Sequence, residues 1–166
     1  LPETCLVLAP RHLERVSEVE RLLQARGWTV HRRSQLPLPE GQYAQVVIVD
    51  TFGELASLYG VADVAIVGGA FAPLGGQNLF QPLAHGKPVF FGPHTHNFRD
   101  IAQLAKAAGV GFEVQHAEQL AEGVLRLLHD PKLREQIARQ ASELIQKHQG
   151  ASERCVAQVA RWLQGR

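Results

Sequence analysis

Methionine is absent from all 166 residues, position 1 included. The chain enters its first apolar run at Cys5, so we read it as a domain excised from a longer protein. Charge excess is also missing. Net charge is +1, which excludes the broad basic surface that nucleic acid requires. No apolar run is long enough to span a bilayer, and no signal peptide is expected in this stretch. Cysteine is scarce. Cys5 and Cys155 sit far apart in apolar contexts and read as two buried free thiols rather than a disulfide. Internal repeats and low-complexity tracts are absent. What remains is ordinary for a globular domain with a full core: 45% hydrophobic and 20% charged residues. We read residues 1–166 as a single domain without an internal boundary.

Short apolar runs alternate with helical patterns. Cys5–Ala9, Trp28–Arg32, Val46–Val49, Val64–Val67, Val89–Phe91 and Val110–Val114 read as strands. Helices are expected over Leu13–Arg26, Glu54–Tyr59, Gln77 to Gly86, the segment after Asn97 to Ala108, Ala117–Leu128, Pro131–Lys147 and Ala151–Gln164. On the first of these, Val16, Val19, Leu22 and Leu23 share a face. The pattern predicts an α/β fold: a doubly wound, Rossmann-like parallel sheet of about six strands, ordered 3-2-1-4-5-6, with helices on both faces.

Ligands of such sheets bind outside the carboxyl ends of the strands. The polar residues at those ends are Arg11, His12, Asp50, Thr51, Glu54, Asn78 and His94, together with two glycine pairs. The first pair, Gly68-Gly69, follows an apolar strand. The second, Gly75-Gly76, precedes Gln77-Asn78 and a helix. Unpaired N–H groups and a positive dipole end gather where a helix starts, and glycine lets an anion approach the backbone. The spacing is neither G-x-G-x-x-G nor a P-loop. A phosphate site and an ordinary pair of tight turns both explain it. Asn78 equally suits a helix cap. His94 and His96 lack an evident third ligand for a metal, and Arg32-Arg33 reads as a solvated loop edge.

Three blocks together resemble one family: Ala9–Arg15 (APRHLER), Val49–Gly69 (VDTFGELASLYGVADVAIVGG) and Gly75–Phe98 (GGQNLFQPLAHGKPVFFGPHTHNF). They look like the C-terminal half of the Kdo transferases, which attach 3-deoxy-manno-octulosonate (Kdo) to lipid A precursors in lipopolysaccharide biosynthesis. Those enzymes have the GT-B architecture of two Rossmann-like halves. The resemblance runs from Leu6 to about Glu113. It implies a donor, CMP-Kdo, bound as substrate, with no cofactor and no metal.

The resemblance also implies roles. Arg11, with His12 beside it, would meet the nucleotide phosphate or the sugar carboxylate. Thr51, Gly53 and Glu54 would lie near base and ribose. Gly68, Gly69, Gly75, Gly76, Gln77 and Asn78 would line the donor site, with Gly75, Gly76 and Asn78 on the phosphate. The family's general-base carboxylate belongs to the N-terminal half, so no catalytic residue is expected in this chain and the domain alone is expected to be inactive. The lipid-linked acceptor would be engaged through that other half. The whole protein would work at the cytoplasmic face of the inner membrane and touch it only through its full length. The last helix, which in GT-B enzymes often crosses to the other half, is expected to leave an apolar face that can pair in a homodimer.

The family shows G-G-H-N-x-x-E-P where this chain has Gly75-Gly76-Gln77-Asn78-Leu79-Phe80-Gln81-Pro82. In GT-B enzymes that glutamate accepts hydrogen bonds from ribose hydroxyls. Gln81 keeps one carbonyl acceptor, loses the charge and gains two donors. The alternatives are a GT-B domain using a UDP-sugar, or a non-catalytic nucleotide-binding or interaction module.

Overall fold

The computed structural model describes residues 4–148 and 151–164. The chain divides into two compact units, Leu1–Leu55 and Ala56–Arg166.

In the first unit, β1 (Leu6–Leu8), β2 (Val30–Arg32) and β3 (Val46–Ile48) form a parallel sheet. β3 is the middle strand, in the order β1-β3-β2. This corrects the expected 3-2-1 order, and the residues explain it. Val46 and Ile48 of β3 are buried, as a strand flanked on both sides requires. β2 carries His31 and Arg32, and β1 exposes Leu6 and Val7, so both suit edges. A 3-10 turn over Leu13–Arg15 leads into α1 (Val16–Gln24). Val16, Val19 and Leu23 pack with Val30, Val46 and Ile48, whereas Leu22 turns outward and is half exposed.

The second unit holds β4 (Ala65–Val67), β5 (Val89–Phe91) and β6 (Gly111–Glu113), again parallel, in the order β4-β5-β6. The six strands thus form two hydrogen-bonded sheets of three strands rather than one of six. All three β5 residues are buried. Its pleat sends Phe90 to one face, where its ring stacks on Phe112 with centroids 5.1 Å apart. Phe91 goes to the other face.

The helices of this unit are α2, which begins at the division between the units (Leu55–Val61), α3 (Phe80–Ala84), α4 (Arg99–Ala107), α5 (Ala117–His129), α6 (Pro131–His148) and α7 (Ala151–Gln164). α5 lies on one face of the sheet and α4 on the other. α5 brings Gly123 so close to Phe90 that a Cβ there would lie 2.5 Å from the ring. On the Phe91 side, a Cβ on Gly111 would lie 2.6 Å from Ala105 of α4. Leu79, Leu83, Ile137 and Ala141 complete the core. Tyr59 packs against this core, and burial raises its phenol pKa.

Both cysteines are exposed and free, which corrects the expected burial. Cys5 precedes an edge strand, and Cys155 lies on α7, whose Val156, Val159, Trp162 and Leu163 are also exposed. The Cys5 thiol is still shielded enough for desolvation to raise its pKa. Among the described residues, no helix is long and apolar enough to cross a membrane.

Candidate functional site

The sequence-selected residues fall into two groups, one in each unit. In the second unit the two glycine pairs meet. Gly68 and Gly69 lie in a 3-10 turn, Gly68–Ala70, directly after β4. The Gly76 N–H donates to the Gly69 carbonyl at 3.3 Å, longer than the usual 2.9–3.0 Å. Gln77 lies against Gly69, 3.2 Å from where a Cβ would stand.

Gly75 and Gly76 are buried with φ of +89° and +78°, a region that residues with a Cβ rarely adopt. Their missing side chains are used by the protein itself. A Cβ on Gly75 would collide with the Asn97 amide and come within 2.6 Å of His96 Nε2. A Cβ on Gly76 would stand 3.2 Å from the His94 carbonyl. The segment after β5 therefore lies directly on the glycine loop. Asn97 N–H donates to the Gly75 carbonyl at 3.1 Å, and its side-chain amide to the Leu74 carbonyl at 3.3 Å. His94 N–H donates to the Ala70 carbonyl at 3.0 Å. A shallow depression of about 540 Å³ opens beside this segment, lined by His96 to Ile101.

The helix after the loop is shorter than the sequence suggests. It begins at Phe80 rather than at Gln77-Asn78, because two left-handed glycines precede it and Asn78 is spent on a turn. Asn78 Oδ1 accepts the Phe80 N–H at 2.8 Å in a turn just before the helix, whose N-cap position is held by Leu79 without a side-chain bond. Gln77, Asn78 and Gln81 are all exposed.

In the first unit, Asp50 to Glu54 form the loop after β3. Glu54 is held at both oxygens. Arg33 Nη2 donates to Oε1 at 3.0 Å, and the Thr51 hydroxyl donates to Oε2 at 2.5 Å. Asp50 is held likewise: Ser34 N–H donates to Oδ1 at 2.9 Å and the Ser34 hydroxyl to Oδ2 at 2.6 Å. Desolvation pushes the Asp50 pKa up. The two Ser34 hydrogen bonds, its own N–H and the Arg32 charge outweigh it, and the net shift is downward. Gly53 has φ +86° and open space where a Cβ would be.

Arg11 is exposed in the segment after β1. His12 forms a local pair, Nδ1 to Glu14 Oε1 at 3.1 Å. The basic pair is not a solvated edge. Arg32 bridges Glu20 at 2.6 Å and Arg33 bridges Glu54. Sequence reasoning passes over Ser34 and Asn97, and it presents Arg33 only as a loop edge and His96 only as one of an incomplete metal pair. The expected strand order already set β2 beside β3, and neighbouring parallel strands bring their exit turns together, so the signal for the contacts of Arg33 and Ser34 was present in that order. Among the described residues no three His, Cys, Asp or Glu side chains gather as a metal-binding group.

Parallel sheets with glycine loops at the strand exits are features of nucleotide-binding α/β proteins. Residues 42–144 match the model of a family described as glycosyl transferases group 1, and the chain belongs to that family. More particularly, it is similar to two enzymes named 3-deoxy-D-manno-octulosonic acid transferase. The one from Bordetella pertussis is 41% identical, covering 98% of this chain and 38% of the relative. The one from Haemophilus influenzae is 37% identical, covering 92% and 36%. The chain thus spans under two fifths of those relatives' length. Among solved structures it resembles the C-terminal CMP-Kdo binding domain of WaaA from Acinetobacter baumannii, with a TM-score of 0.77 and 32% identity over 86% of this chain and 74% of that one.

Proposed function

We propose that residues 1–166 act as the donor-binding domain of a glycosyltransferase that transfers Kdo from CMP-Kdo to a lipid-linked hydroxyl. The observation that carries this is the likeness to the CMP-Kdo binding domain, which is a match in sequence as well as in fold and covers most of the chain. In this reading the donor is a substrate, and neither cofactor nor metal takes part. The acceptor and the catalytic carboxylate belong to the rest of the transferase, which would work at the cytoplasmic face of the inner membrane.

The chain's own residues fit these tasks. Arg11, exposed and next to His12, offers a planar fork of donors to a phosphate or a sugar carboxylate. The loop around Gly75 and Gly76 is rigidly seated on His96 and Asn97, so the backbone that follows it, at Gln77 and Asn78, is preorganised for an anion. Gly68, exposed with open space beside its Cα, allows close backbone approach. Glu54 keeps a lone pair on each oxygen beyond those taken by Arg33 and Thr51, and can accept from ribose hydroxyls. In the second unit, Gln81 offers a neutral carbonyl acceptor.

The test is an amide-resolved titration of the chain with CMP. The reading expects the largest shifts at Thr51, Gly53, Gly68 and Gln77–Asn78. Saturable shifts confined to other residues would overturn the assignment of the site.

A further inference from the structure

We infer that the Arg33–Ser34 turn is a positioning clamp for the Asp50–Glu54 loop, holding it in the shape that receives the donor. The inference rests on the donor-binding reading for what the loop receives, and on geometry alone for the clamp.

β2 and β3 are parallel neighbours in a register that sets Arg32 opposite Ile48. The segments leaving them, Arg33 onward and Val49 onward, therefore emerge side by side. The first makes a 3-10 turn over Arg33–Gln35, closed by the Leu36 N–H on the Arg33 carbonyl at 3.2 Å. Gln35 Oε1 fixes its start by accepting the Arg32 N–H at 2.9 Å. From this braced turn two side chains reach the neighbouring loop. Ser34 takes the first residue, Asp50, with its hydroxyl and also with its backbone N–H, and Arg33 takes the last, Glu54, with one bond. Thr51 closes the loop on itself through Glu54.

Both ends of a five-residue loop are thus pinned by charge-assisted bonds while its middle stays open. Phe52 is 85% exposed, and a Cβ on Gly53 would meet nothing within 4 Å. Ion pairs this exposed add little to global stability, so their effect is to order the loop locally. Preordering is what a binding loop gains from such contacts, because the ligand no longer bears the entropy of fixing it. Arg32 is a control for the hydrogen bonds, since it reaches the loop only through its charge on Asp50. One residue away, it bonds Glu20 and Ser17 of α1 and makes no hydrogen bond to the loop.

The experiment uses the 166-residue chain and two readouts: amide exchange at Phe52 and Gly53 without ligand, and CMP affinity by calorimetry. Arg33→Ala and Ser34→Ala should each speed exchange at these two amides about tenfold. Each should also weaken CMP about fivefold, the loss of one charge-assisted bond. Arg32→Ala, which removes from the loop only a charge acting on Asp50 without a hydrogen bond, should change both by less than either of these, and Arg33→Lys should fall between parent and alanine. Unchanged exchange in Arg33→Ala and Ser34→Ala, or an equal change in Arg32→Ala, would overturn the clamp. Faster exchange with unaltered CMP affinity would overturn its positioning role. A parent chain that does not bind CMP would refute the donor reading instead, and the exchange readout would still decide the clamp.

Discussion

Asn97 lies on Gly75. Its N–H bonds the Gly75 carbonyl at 3.1 Å, and its side chain fills the space that a Cβ on that glycine would need. Gly75 and Gly76 are therefore glycines first because the protein packs against them in a left-handed conformation. Gly75→Ala should destabilise the second unit by about 1–3 kcal/mol, from strained φ and overpacking together. Loss of CMP binding in Gly75→Ala or Gly76→Val would not by itself locate the phosphate. Gly68→Ala separates the two effects, since Gly68 has no positive φ and open space beside it. It should leave the melting temperature within about 2 °C while reducing CMP affinity. Unchanged affinity would remove Gly68 from the donor site.

Asp50 makes the acid limb of stability readable. Its pKa is lowered in the folded chain, so the contribution is full above the ordinary carboxylate value and is lost as pH falls through the folded value. The window therefore lies below about pH 4. Ser34→Ala removes the hydroxyl bond to the carboxylate and keeps the backbone N–H bond, so the Asp50 titration followed by carboxyl-carbon resonance should move part of the way upward. A titration that stays where it is in the parent would mean that Ser34 does not hold Asp50 in solution.

Gln81 is exposed on α3, where the family pattern has glutamate. A hydrogen bond to a charged group is worth about 1.5–3 kcal/mol, against about 0.5–1.5 for a neutral one. Gln81→Glu should then gain about 1 kcal/mol, or roughly fivefold in CMP affinity. The gain should be smaller for deoxy-CMP, which lacks one hydroxyl. An equal gain for both nucleotides, or none, would mean that position 81 does not face the ribose.

On α7, Val156, Val159, Trp162 and Leu163 are 59–71% exposed. Apolar side chains in such a row favour association. The chain should self-associate reversibly at high concentration in light scattering, and Val159→Glu with Leu163→Glu should return it to a monomer. A parent that stays monomeric throughout would contradict this.

The sequence displayed the elements better than their neighbours. β5 is apolar at every position because helices cover both its faces, and that shows in any window. The order β1-β3-β2 depends on which strand is wrapped on both sides, which alternation does not reveal in three-residue strands. The glycine pairs were visible as punctuation, but the reason for Gly75 lies in Asn97, 22 positions away. The bonds of Arg33 and Ser34 to Glu54 and Asp50 span 21 and 16 positions and follow from strand adjacency alone. Both cysteines looked buried because apolar residues surround them in sequence, yet those neighbours are themselves exposed.

Isothermal calorimetry of the chain with CMP and with UMP decides whether it binds a cytidine nucleotide donor. The account predicts saturable binding of one CMP per chain, tighter than UMP and weakened by substitution of Arg11. Preference for UMP would point to a UDP-sugar donor, and heat from neither nucleotide would contradict the account.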